Sequence, residues 1–214
     1  MIYNIYYSYK EALRSCSDTL YNSDKVADLV YFKTRNYRSK LNSKHYKPDI
    51  SELFLISSFG LIFNNIEKKS INIIDYGGAC GAHYFLIKRY FPKLNFNWIV
   101  IETNSIVKIC TQFNSNELSF YDSLDSALNA NFNVDIVLCS GTLQCIPDPF
   151  KTLNLFIRLG PSYIILPRLA LTHEKINFLI IHEHMLSANG PGSAPINFID
   201  ELWSYPFQFL SDKK

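Results

Sequence analysis

Charge is what this chain has least of. Only 19% of its 214 residues are charged, against about 25% in an average soluble domain. Lys+Arg 21 against Asp+Glu 19 leaves a net charge of +2, so no global field draws the protein onto nucleic acid or anionic lipid. Paired cysteines are missing as well. The five present, Cys16, Cys80, Cys110, Cys139 and Cys145, are odd in number and none falls in a CxxC spacing. With no secretory apolar stretch after Met1, a disulfide framework is not expected, and the chain reads as reduced and cytoplasmic. A membrane span is lacking too, because the longest apolar run, residues 53–63, contains two serines and a glycine and is too short to cross a bilayer. There is no internal repeat and no low-complexity tract. What is there is apolar: 48% hydrophobic residues exclude a disordered chain and can close a core without a staple.

The chain changes character near residue 70. Before it, apolar residues recur at helical spacing. Tyr9, Ala12, Leu13, Cys16 and Leu20 share one face of a helix over 7–20, and Ser23 caps a second carrying Val26, Leu29, Val30 and Lys33 on one side. Asp49 and Glu52 form a capping box for a third. After residue 70, short apolar runs at 71–75, 97–101, 118–121, 134–139 and 162–166 alternate with helical stretches. Gly81 to Tyr90 ends at Pro92, Asn104 can cap the next helix, and Asp148-Pro149 opens one closed by Gly160-Pro161. This alternation predicts a doubly wound, mostly parallel α/β sheet over 70–214 behind a helical cap over 1–69, with ligands at the carboxyl ends of the strands. Beyond Arg168 the pattern gives strands at 177–182 and 206–210 around a Gly/Pro/Ser-rich loop at 188–195.

The chemistry concentrates in 71-INIIDYGGACGAHYF-85. A buried strand ends at Asp75, and Gly77, Gly78, Ala79 and Gly81 form a tight turn into a helix, where small residues let a cofactor back onto the main chain. A dinucleotide fingerprint is not met, since Ala79 and Ala82 stand where two of its three glycines belong. The stretch does fit the acidic-x-Gly-x-Gly-x-Gly turn of S-adenosylmethionine-dependent methyltransferases, with Ala79 at the middle glycine. Asp75 can then accept from the cofactor's ammonium. Glu102, closing the second strand, can accept both ribose hydroxyls, and Asp122-Ser123, after the third, sits where adenine is read. Each has a plainer alternative, a solvated strand end for Glu102 and a helix cap for Asp122.

With these residues placed, the chain resembles a bacterial family of class I methyltransferases associated with surface-glycan biosynthesis loci. The resembling segments are 71-INIIDYGGACGAHYF-85, 98-WIVIET-103, 135-DIVLCSGTLQCIPDP-149, 163-YIILPRLAL-171, 204-SYPFQFLS-211 and the entry helix 7-YSYKEAL-13. The resemblance implies a Rossmann-like methyltransferase domain behind a helical cap, binding S-adenosylmethionine and acting on a small, glycan-related acceptor. Two departures stand out. Pro167 precedes Arg168 where the family tends to carry an acidic residue, which weakens a catalytic role there. The family also continues past the segment matched by 204–211, so a C-terminal edge truncated at Lys214 is expected to cost the sheet its far side. A non-catalytic cofactor-binding protein is therefore the alternative reading.

Ser140 and Gln144, in the loop after the fourth strand, are expected at the cofactor or acceptor. His83, in the first turn after the glycines, is the candidate base. Cys139 and Cys145 flank that loop and read as wall or core packing. Lys33, Arg35, Arg38, Lys40, Lys44 and Lys47, interleaved with Tyr37 and Tyr46, contain no acidic residue. They read as a solvated face, a site for a phosphorylated small acceptor, or an RNA surface of an RNA methyltransferase. His182-Glu183-His184 lacks the HExxH spacing and is not expected to hold a metal.

Overall fold

The computed structural model describes residues 4–16, 21–128 and 132–213. Leu20, expected to complete the face of the first helix, lies outside them. The chain opens with α1 (Tyr9–Arg14), α2 (Asp24–Leu41) and α3 (Ile50–Phe63). There follow β1 (Ser70–Tyr76), α4 (Ala82–Tyr90), β2 (Asn95–Ile101), α5 (Asn104–Cys110), β3 (Leu118–Tyr121) and α6 (Leu124–Ala127). Then come β4 (Ile136–Leu138), α7 (Pro149–Arg158) and β5 (Tyr163–Ile165). The chain finishes with β6 (Leu171–Thr172), β7 (Phe178–Met185) and β8 (Leu202–Ser211).

Five strands make a wholly parallel sheet in the order β3-β2-β1-β4-β5, flanked by helices. This is the doubly wound, Rossmann-like α/β architecture expected from the alternation of apolar runs. The chain winds outward from β1 through β2 to β3, then returns to start β4 on the other side. A crevice must open where that direction reverses, at the carboxyl ends of β1 and β4. The strands are apolar on both faces because helices cover both: Ile73, Ile74, Val100, Ile136, Val137 and Leu138 are all at 0% exposure.

Local signals set the helix ends. The Ser23 hydroxyl accepts from Val26 N–H, Asp49 and Glu52 close the expected capping box, and Asp148 caps α7 with Pro149 at its first turn. At α5 the cap is Thr103, and Asn104 is the first helical residue instead. The first helix stops at Arg14, well short of the expected span. Residues of α2 and α3 share one apolar cluster with β1, β2 and α4, in which the Phe59 and Trp98 rings lie 5.6 Å apart.

Two expectations are corrected here. The strands beyond Arg168 do not extend the five-stranded sheet. They form a second sheet, β6-β8-β7, in which β7 and β8 pair antiparallel from Phe178–Phe209 to Met185–Leu202, and β5 remains an edge of the first sheet. Alternation of apolar residues marks a strand but not which sheet it joins. The second correction concerns cysteine: Cys80 and Cys110, 30 positions apart in sequence, form a disulfide with Cα atoms 5.3 Å apart. Parallel pairing of β1 with β2 brings the glycine turn beside the end of α5, a proximity no short-range cysteine spacing reveals.

Candidate functional site

A cavity of 1570 Å³ opens at the carboxyl end of the five-stranded sheet, larger than most single small-molecule sites. Its floor is the turn after β1. Gly77 N–H donates to Ile101 O at 2.8 Å, carrying the register of β1 and β2 into the turn. Ala79 and Gly81 take left-handed backbone, with φ of 50° and 77°. Gly77, Gly78 and Ala79 line the cavity.

At Gly78 the reason for the glycine differs from the one expected. A Cβ at Gly78 would overlap the Asp75 carboxylate, and one at Gly77 the Thr142 side chain. The first direction points into the protein, whereas Thr142 itself lines the cavity. Gly81 is not on the cavity wall; a Cβ there would come 3.2 Å from Leu118 Cδ2. Its role is to turn the chain into α4.

Asp75 is likewise off the wall, at 0% exposure. Trp98 Nε1 donates to its Oδ2 at 3.2 Å, and His83 Nδ1 lies 3.0 Å from the same oxygen. A carboxylate only accepts, so Nδ1 carries the proton and Nε2 is the other ring nitrogen available to a ligand. Direct contact of Asp75 with a ligand ammonium, as expected from its place in the motif, is not what this arrangement offers. It reaches the cavity through His83, which lines it.

Glu102 stands at the cavity at the end of β2. Its Oε1 accepts from Ala79 N–H at 3.1 Å and from the Tyr21 hydroxyl at 3.3 Å, and Oε2 accepts from Thr103 N–H at 2.8 Å. Three of about four acceptor positions are therefore filled. Two further hydroxyls can be taken only if the long Tyr21 contact gives way. Burial pushes the Glu102 carboxyl up to about 7, against the lowering effect of these three donors. Asp122 also lines the cavity and is exposed, its Oδ1 accepting from the Ser123 and Ser126 hydroxyls. The helix cap itself is Ser123, which accepts from Ser126 N–H.

On the β4 side, Ser140 and Gly141 line the cavity, but Gln144 does not. The Gln144 amide donates to Arg168 O at 2.9 Å, and Ser140 Oγ accepts from Arg168 Nε at 3.1 Å. Both residues thus act on Arg168, a link their sequence positions do not disclose. Burial raises the Cys139 and Cys145 thiols to about 12, so neither is a ready nucleophile. Tyr21, His182, His184, Trp203 and Tyr205 complete the wall. Tyr21 stacks on Trp203 at 5.6 Å, and the His182 ring lies 5.3 Å from that of Tyr205. Of these the two histidines drew notice in the sequence, for a metal, and Tyr205 lies in the resembling segment 204–211. The histidines face the cavity because the β7–β8 pairing sets His182 opposite Tyr205 and His184 opposite Trp203.

The basic segment 33–47 is not one surface. Lys33 is 1% exposed and its ammonium donates to the carbonyls of Ser187 and Asn189. The Arg38 guanidinium covers the Phe85 ring at 4.9 Å. Tyr37 and Tyr46 both donate to Glu52.

No family model matches the chain, and no curated protein matches it in sequence. Solved structures share its course at low identity. They include a SAM-dependent methyltransferase from Aquifex aeolicus (18% identity, TM-score 0.37, covering 55% of this chain and 65% of that one). Another is the plantazolicin methyltransferase BpumL in complex with SAH (14%, 0.39, 76% and 58%). A third is the sugar N-methyltransferase KedS8 from Streptoalloteichus sp ATCC 53650 (8%, 0.47, 79% and 83%). The chain spans under two thirds of the length of the first two.

Proposed function

We propose that the protein is an S-adenosylmethionine-dependent methyltransferase acting on a small, glycan-related acceptor. One observation carries the reading: the glycine turn after β1, a buried carboxylate ending β2 and an exposed one following β3 converge on a single cavity at the switch point of a parallel sheet. The acceptor set suits a ligand with a diol and an amino-purine. Main chain at Gly77–Ala79 accepts close approach, Glu102 Oε2 can accept from a ribose hydroxyl, and Asp122 can accept from an exocyclic amine.

S-adenosylmethionine, when bound, supplies an electrophilic methyl group. The protein's part is to align an acceptor oxygen or nitrogen with it and to remove a proton. His83, oriented by Asp75, is the candidate for that proton through Nε2. The aromatic wall of Tyr21, Trp203 and Tyr205 suits the apolar face of a sugar or another ring. The resemblance to the glycan-associated family, rather than the cavity itself, supplies the glycan part of the reading. An RNA acceptor is disfavoured because Lys33 and Arg38 are engaged within the fold.

Calorimetry with S-adenosylhomocysteine tests the cofactor. Micromolar binding is expected. Loss of at least tenfold in Glu102→Ala follows if a charge-assisted hydrogen bond of about 1.5–3 kcal/mol is removed. Absence of binding by the folded protein overturns the reading.

A further inference from the structure

We infer that Arg168 forms an anion-recognition subsite for the acceptor, so that the methylated molecule carries a carboxylate or phosphate. This inference rests on the methyl-transfer reading for the identity of the rest of the cavity. Its own support is the way the guanidinium is held. Arg168 follows β5 and lines the cavity. Its Nε donates to Ser140 Oγ at 3.1 Å and its Nη2 to Ser140 O at 3.0 Å. Gly141 backs directly onto it, since a Cβ there would come 3.2 Å from Arg168 Cζ. The Gln144 amide fixes the main chain beneath it at 2.9 Å.

Three further facts point to a ligand rather than to a packing role. Among the described residues, Arg168 and Ala79 are the only non-glycines with positive φ, at 60° and 50°, and both line this cavity. Such strain collects where a site demands a particular side-chain direction. Next, no carboxylate lies within ion-pair distance of Arg168 among the described residues, although two hydrogen bonds to Ser140 orient the side chain. Lastly, among the described residues two of five N–H donors are used, both on Ser140, so Nη1 and the second Nη2 hydrogen remain for a ligand. A guanidinium pre-oriented with free donors matches a planar or tetrahedral oxyanion in bidentate fashion.

The sheet order says which ligand this is. Glu102 follows β2, whereas the Arg168 guanidinium is held on Ser140 and Gly141 after β4, two strands away, or roughly 10 Å at the usual strand spacing. Arg168 therefore belongs to the half of the cavity walled by Tyr205 and Cys145, away from the carboxylates assigned to ribose and adenine.

The test uses three probes of like shape: glucose, glucuronate and glucose 6-phosphate. Each is titrated by ligand-observed NMR into the protein with and without S-adenosylhomocysteine. An anionic probe is expected to bind at least tenfold tighter than glucose, and the two anions separate a carboxylate preference from a phosphate one. In Arg168→Asn, chosen because asparagine tolerates left-handed backbone, that preference should vanish while S-adenosylhomocysteine affinity stays within twofold. Arg168→Lys keeps the charge without the fork and should lose at least threefold of the preference. Three outcomes overturn the inference: no anionic advantage in the wild type, an advantage that survives both variants, or a tenfold loss of S-adenosylhomocysteine affinity in Arg168→Asn. The last would assign the guanidinium to the cofactor's own carboxylate. Failure of the wild type to bind S-adenosylhomocysteine would strike the methyl-transfer reading instead, with the probe comparison still readable.

Discussion

At the residue scale, Glu102 carries the most testable electrostatics. Its carboxyl titrates near 7 in the folded protein because burial outweighs three hydrogen-bond donors, against about 4.3 in an unfolded chain. The native state therefore holds a proton the unfolded state has released, and this group's stabilising effect is lost as pH rises from about 4.5 to 7. The loss is roughly 3 kcal/mol. Urea midpoints measured across that window should show this component in the wild type and not in Glu102→Gln. A ligand that needs the ionised carboxylate works against the same proton, so S-adenosylhomocysteine should bind more tightly at pH 8 than at pH 6, with proton release on binding. Gly78 makes the opposite kind of case. Since a Cβ there meets Asp75 rather than open cavity, Gly78→Ala should cost about 1–3 kcal/mol of stability through overpacking. A Gly78→Ala protein as stable as wild type that merely failed to bind ligand would show that the turn faces the other way.

At the scale of elements, two links hold the site's walls together. The Cys80–Cys110 disulfide ties the glycine turn to the end of α5. A closed loop of this length contributes about 3–4 kcal/mol in the chain-entropy model. Cys110→Ala should lower stability by about that amount, and thiol titration of the denatured wild type should find three free cysteines without reductant and five with it. The second link is Lys33 of α2, whose ammonium ties down the carbonyls of Ser187 and Asn189. Lys33→Met should leave those carbonyls without their donor and expose the loop over 186–192 to proteolysis, with the five-stranded sheet intact by circular dichroism. Equal cleavage of variant and wild type would refute the role.

For the whole molecule, the two sheets divide the labour. The five-stranded parallel sheet presents the glycine turn, Glu102 and Asp122 on one side of its switch point and Ser140 and Arg168 on the other. The β6-β8-β7 sheet and Tyr21 bring aromatic walls to the same opening. No helix among the described residues is long and apolar enough to cross a membrane.

The amino-acid sequence by itself determined the elements and their order. Apolar runs at 71–75 and 118–121, the Ser23, Asp49 and Asp148 caps, and a glycine turn after a buried strand are consequences of local energetics, and local energetics is written in neighbouring residues. Glu102 was legible for the same reason, as a carboxylate ending an apolar strand. Contacts between distant segments were not. That Asp75 faces Trp98 and His83, that Ser140 and Gln144 hold Arg168, and that His182 and His184 join Tyr205 at the wall all depend on strand order and register. So does the meeting of Cys80 with Cys110. Only the tertiary structure decides these, because long-range pairing is set by how whole faces bury against one another, and no short window of sequence contains both partners.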